Sequence, residues 1–309
     1  MSSPAPTSLT PRTDLTGEGT TDPPHRTFSA TQEDLMTTTT DRPRATRPRP
    51  TAEKTAFPDI DDARGVSFRR LLGTELRKLV DTRSGRWMLI AILALTGVAM
   101  AVPLWIGRDT GSGILGLLVA ASIPQAVLIP VLGIMTAANE WSQRTALITF
   151  TQEPRRLRVM AAKTAAAVLL GMAVLALSIL AAILAHVASM ASVDGQVDLS
   201  IGWTLLGHLV VIQLLGVLTG VAFGALLLSV PLGIVAYVLV PALSPLVFMA
   251  TSWLRENAAW LDMTSAQAPL LGDEVLTGEQ WAQVGTTSAL WILLPLVLGF
   301  RRVARKQVA

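Results

Sequence analysis

Six long apolar runs limit what this chain can fold into. They are Trp87–Gly107, Ile114–Asn139, Thr164–Met190, Thr204–Ser229, Pro231–Trp253 and Val284–Phe300. A helix needs about 20 apolar residues to cross the hydrocarbon core of a bilayer, and each run suits that role. The runs mix Gly, Pro and Ala freely, as membrane helices tolerate. The fourth and fifth meet at Ser229-Val230-Pro231, where proline marks a tight turn, so six spans are expected. Composition agrees. The chain of 309 residues is 51% hydrophobic and only 15% charged, with mean hydropathy +0.50. A soluble domain carries about 25% charged residues. The expected fold class is all-α, a polytopic membrane protein with six transmembrane helices.

Charge placement supports that count. Arg69, Arg70, Arg77, Lys78, Arg83 and Arg86 precede the first run. Arg144, Arg155, Arg156, Arg158 and Lys163 lie between the second and third. Arg301, Arg302, Arg305 and Lys306 follow the sixth. With six spans these fifteen cations share one face, while Arg108, Arg255 and eight acids (Asp109, Asp194, Asp198, Glu256, Asp262, Asp273, Glu274, Glu279) take the other. Positive charge favours the cytoplasmic side, so both termini are expected there. The spans themselves read as free of Asp, Glu, Lys and Arg away from their ends.

Residues 1–65 have a different composition, with 15 threonines, 9 prolines and many charges. Such a segment buries too little apolar surface to offset chain entropy and is expected to be a disordered cytoplasmic tail. Its Asp41–Pro50 stretch is either a lipid-attracted basic patch or a solvated linker. Met36, followed by four threonines, is a second candidate translation start beside Met1.

Missing residue types exclude whole chemistries. There is no cysteine, which removes disulfides, thiolate metal sites and thiol catalysis. The three histidines are far apart, and His186 and His208 near the far ends of spans three and four read as satisfied interfacial side chains. No Gly-Lys pair occurs, so the chain has no phosphate loop. No catalytic residue, cofactor site or metal site is assigned.

Ser67–Thr82 is amphipathic at helical period. Phe68, Leu71, Leu72, Leu76 and Leu79 share one face, and Arg69, Arg70, Arg77 and Lys78 spread over the rest. It is expected to be an interfacial helix with its cations snorkelling. Glu75-Leu76-Arg77-Lys78-Leu79, then Thr82-Arg83-Ser84 and the Trp-led span, form the first part of a pattern. Glu140-Trp141 with Thr145, then Thr149-Phe150, and the run from Pro154 to Lys163 form the rest. In their order and position this pattern resembles the permease subunit of ABC-2 type transporters over residues 66–309. Ser142-Gln143-Arg144 departs from the Arg and Gly more usual there.

The resemblance implies a bacterial plasma-membrane exporter component driven by a separate ATPase subunit, which would hold ATP and Mg. It implies a second permease copy, identical or homologous. It also implies a coupling helix over Trp141–Glu153, with Glu140, Trp141, Arg144, Thr145, Phe150 and Pro154 as coupling residues. Glu140 is expected to pair with a cation of the interfacial helix. That helix is carried by Phe68, Arg69, Leu72, Glu75, Lys78 and Leu79. In similar exporters the Leu254–Ala282 region dips back as short helices; the plain alternative is a loop lying on the interface.

Two span features remain. Gly216, Gly220 and Gly224 repeat at small-xxx-small spacing, for packing within the chain or between subunits. Ser122 and Gln125 lie in the proline-bearing second span, as substrate contacts or as interhelical hydrogen bonds. The weakly polar spans fit a hydrophobic cargo such as a drug, lipid or lipid-linked compound. Membrane lipids are expected partners and nucleic acid is not. The alternatives are a membrane anchor or regulatory subunit, and a secondary transporter.

Overall fold

The computed structural model describes residues 66–306, apart from 154, 194 and 200. The tail over 1–65 and Pro154 lie outside the described residues. Among these there are twelve α-helices and no strand: α1 Phe68–Asp81, α2 Arg83–Ile106, α3 Ile114–Ser142, α4 Ala146–Gln152, α5 Arg156–Ser192, α6 Trp203–Leu227, α7 Val230–Met249, α8 Ser252–Glu256, α9 Ala258–Leu261, α10 Met263–Gln267, α11 Gly278–Ser288 and α12 Leu294–Arg305. A π-helical turn, Ala289–Leu293, joins α11 to α12 without a break. The helices α2, α3, α5, α6 and α7, with α11–α12 as one unit, are long and apolar enough to span a membrane. The chain therefore has a multi-pass membrane architecture with six spanning helices.

Most spanning helices outrun their apolar runs, because caps and not hydropathy end a hydrogen-bond ladder. α2 starts at Arg83 because Thr82 accepts from the Gly85 N–H at 3.2 Å. α5 starts at Arg156 and so takes in Lys163. The fifth span instead ends early, at Met249 rather than Trp253. Thr251 is extended there and caps α8 through the Leu254 N–H. The turn expected at Ser229-Val230-Pro231 is present. Leu228 takes the left-handed conformation (φ 53°), and Pro231 sits in the first turn of α7.

α6 packs against α3 at the centre of the bundle. A Cβ added at Gly220 would lie 1.9 Å from the Pro130 carbonyl oxygen, and one at Gly224 would lie 2.7 Å from that of Ile134. The glycine stripe is thus an intramolecular seam, where close backbones supply the dispersion contacts that lipid cannot. Gly216, at 3.7 Å from Pro130, has ordinary room. Pro130 has no N–H, which frees the Ala126 carbonyl one turn back; the Tyr237 hydroxyl of α7 donates to it at 2.6 Å.

The segment after α7 turns back among the helices. Thr219 Oγ1 lies 3.8 Å from Met263 Sδ. Thr219 is sixteen residues into α6, about 24 Å along its axis. Trp291 in the π turn donates its indole N–H to the Leu261 carbonyl at 2.7 Å, as π turns re-aim side chains at contact sites. The chain then climbs through the 3-10 turn Ala268–Leu271, where fully buried Leu270 packs on Val211, Ile212 and Leu215. His208 meets the Gly272 carbonyl at 3.0 Å. The short helices therefore turn back as a hairpin between the spanning helices. Asp262, assigned from the sequence to the face opposite the cations, is buried at its tip, where it caps α10 by accepting from the Ser265 N–H and hydroxyl, both at 2.8 Å.

Candidate functional site

The first candidate site lies on the face that carries α1 and α4. α1 packs on the start of α5 and on α2. Ser67 caps its first turn, and Leu71, Glu75 and Leu79 form the buried stripe. Glu75 thus shares the inward face with Leu71 and Leu79, while Phe68 and Arg69 stay exposed and Leu72 is half-buried.

Four charged side chains meet there. Lys163 Nζ donates to Glu75 Oε2 at 2.7 Å and to Glu140 Oε1 at 2.9 Å. Lys78 Nζ donates to Glu75 Oε1 and Glu140 Oε1, each at 2.8 Å. Glu140 therefore pairs with a cation of α1, as the sequence suggests. Lys163, read from the sequence as a flank of span three, is a buried member of α5, with its side chain 4% exposed. An unpaired charge at such a site is costly; here two carboxylates balance two ammonium groups. Burial pulls the Lys78 ammonium down, but its hydrogen bonds to Glu140 and Glu75 and their charges outweigh this and hold it above the usual lysine value.

α3 ends at Ser142. The chain reverses through Gln143–Thr145, where Arg144 is exposed and left-handed at φ 58°. Thr145 closes the turn with its N–H on the Glu140 carbonyl at 2.9 Å. The helix expected over Trp141–Glu153 is thus shorter. α4 starts at Ala146, and Trp141 belongs to the end of the span. Contact replaces continuity: the Trp141 and Phe150 ring centroids are 5.7 Å apart. Lys306 lies 5.1 Å from the Trp141 ring and Arg156 lies 5.2 Å from the Phe150 ring, both suited to cation–π attraction. Arg156 also donates to the carbonyls of Val303 (3.1 Å) and Lys306. Leu147 and Ile148 of α4 are exposed, and Ile148 also borders the pocket that Glu75, Glu140 and Lys163 line. α4 is therefore fastened through Phe150 to α3 and α5, and Arg156 ties that corner to the end of α12.

Sequence reasoning missed Lys163 as a site residue. Its signal was Glu75 and Glu140 bordering apolar stretches with no cation assigned to Glu75.

The second candidate site is a cavity of about 280 Å3 within the bundle, between α3, α5, α6, α7 and α10. Ser122 and Gln125 both line it. Gln125 donates to the Ser178 hydroxyl at 2.8 Å, and Ser122 donates to the Val119 carbonyl at 2.7 Å. Gln125 thus makes the interhelical hydrogen bond and also faces the cavity. His186 is buried against the Ser112 carbonyl at 2.7 Å, and His208 also packs edge-on to Trp281. Neither lies in this cavity. No group of three or more metal-ligating side chains occurs among the described residues.

No family model matches this sequence, and no curated protein is significantly similar to it.

Proposed function

We propose that this chain is the permease subunit of an ATP-binding-cassette exporter in a bacterial plasma membrane, with both termini in the cytoplasm. The observation that carries the reading is α4. It is a short helix between the second and third spans, anchored through Phe150 and exposing Leu147 and Ile148. A partner ATPase, holding ATP and Mg, would seat on Leu147 and Ile148. The inner contacts would pass its motion to α3 and α5. The charge cluster would carry α1 with them, because Glu75, Glu140 and Lys163 join three helices through bonds under 3 Å. The largely exposed apolar faces of α2 and α7 offer surfaces to lipid and to a second permease copy.

The test starts from the full chain, purified from its native membrane in mild detergent. An ATP-binding-cassette ATPase should accompany it, and vesicles holding the complex should move a hydrophobic dye only with ATP. Phe150→Ala should leave the complex intact but cut ATP-driven transport at least tenfold. Recovery without any such ATPase overturns the reading.

A secondary transporter is the second reading. Asp262 is the observation that favours it, since a carboxylate buried among spans is the usual mark of ion coupling. Dye movement driven by a proton gradient without ATP, and lost in Asp262→Asn, would select it.

A further inference from the structure

We infer that the partly open cavity formed within a single copy of this chain binds an uncharged, apolar molecule carrying a carbonyl group, an ester or a ketone. The site stands on its own walls and needs neither an ATPase nor a second copy. At about 280 Å3 it sits near the lower end of pockets that take small organic ligands, about 300–1,000 Å3.

Its chemistry follows from which polar groups are already engaged. No Asp, Glu, Lys, Arg or His lines it. A charged ligand would surrender its hydration there and meet no counter-ion. The hydroxyls of Ser122, Ser178, Thr219 and Tyr237 all donate to main-chain carbonyls of their own helices or of α3. Tyr237 is held by the carbonyl that Pro130 leaves unpaired. Two of the three wall amides have their nitrogens engaged as well: Gln125 donates to Ser178 and Gln213 to the Gly171 carbonyl at 2.7 Å. To an entering molecule most of the wall is therefore apolar.

The exception is Gln267 at the end of α10. It lines the cavity, and its side-chain nitrogen is buried with no partner among the described residues. A buried donor without an acceptor is unfavourable, and native structures rarely keep one without a reason. Thr264 lies one turn before it on the same face of α10 and also lines the cavity. The amide torsion of Gln267 is soft, so a small rotation presents its N–H to the cavity. A carbonyl oxygen satisfies it and brings no donor of its own to be placed.

The ligand's source is either a bilayer lipid or a free compound, and the test separates them. The full chain is held in dodecyl maltoside micelles, whose detergent has no carbonyl, without ATP or ATPase. One arm measures equilibrium binding of tritiated progesterone. The other uses diazirine-bearing dioleoylglycerol, with the labelled peptides mapped. Saturable binding of one molecule per chain is expected, with labels on α6 and α10. Gln267→Leu, which keeps shape but loses the donor, should weaken it about tenfold. Should Gln267→Leu fail to fold, Ser122→Phe, which fills the cavity, makes the same comparison with the unfolding midpoint as the fold check. Binding of the steroid alone supports a free compound; binding of the glyceride alone supports a lipid; binding of both supports the shared carbonyl. Non-saturable partition of both probes, or wild-type affinity in the variant, overturns the inference and leaves a water-filled cavity. Because no ATPase is present, the outcome is independent of the exporter proposal.

Discussion

Lys163→Met tests the charge cluster most directly. The wild-type cluster is neutral, with Glu75 and Glu140 facing Lys78 and Lys163. Methionine keeps the bulk of lysine but leaves the cluster with a net negative charge in a site where the Glu75 side chain is 3% exposed. Removing one partner of a buried pair costs about 3–5 kcal/mol. Lys78 stays 2.8 Å from both carboxylates and so offsets part of the loss. The expected cost is therefore at the low end, about 3 kcal/mol, or roughly a hundredfold in the equilibrium constant. Lys78→Met should cost less, about 1 kcal/mol, because that side chain is 40% exposed and its interactions are screened. Adding Glu75→Gln to Lys163→Met restores neutrality and leaves the Lys78–Glu140 pair in place. The double variant should be more stable than Lys163→Met alone. Denaturant unfolding in mild detergent reads the totals, and amide hydrogen exchange along α1 reads the local undocking. The reasoning fails if Lys163→Met costs no more than Lys78→Met, or if the double variant is the least stable of the three.

Other expectations follow from single contacts. Gly220→Ala should destabilise by about 3 kcal/mol or more through its clash with the Pro130 carbonyl, while Gly216→Ala should be close to neutral; unfolding in detergent compares them. Asp262→Ala removes the cap of α10 and should cost about 1 kcal/mol, with faster amide exchange confined to residues 263–271. Lys78 has a folded pKa above its unfolded value. Its contribution is fully present below the unfolded pKa of 10.5 and is lost as pH rises through the raised folded value. Unfolding followed from pH 8 to 11.5 should show α1 loosening only at the alkaline end, with that step absent in Lys78→Met.

The sequence shows some parts of the site and hides others. Glu140, Trp141, Phe150 and the positive flanks could be picked out because charge and aromatic residues at the edge of an apolar run are conspicuous. Glu75 sits at helical spacing between Leu71 and Leu79, so the period already places it on the apolar face of α1, but its partner Lys163 comes from α5 and only the packing supplies it. Lys163 read as a topology signal because the hydropathy of its span begins one residue later. The hairpin from α8 to α10 gave no hydropathy signal, since its helices are four or five residues long and interspersed with polar side chains.

What the sequence determined alone is the class of the fold. Length and hydropathy are local properties, and a run of about 20 apolar residues is long enough as a helix to cross a bilayer whatever its neighbours are. The tertiary structure decided what those helices bring together. Lys163 and Glu75 are 88 residues apart, and Tyr237 and the Ala126 carbonyl are 111 apart. Depth was decided in the same way. Asp262 lies among the spans because α6, α7 and the π turn at Trp291 hold its hairpin there, a consequence of packing between distant segments that the hydropathy of residues 250–277 does not carry.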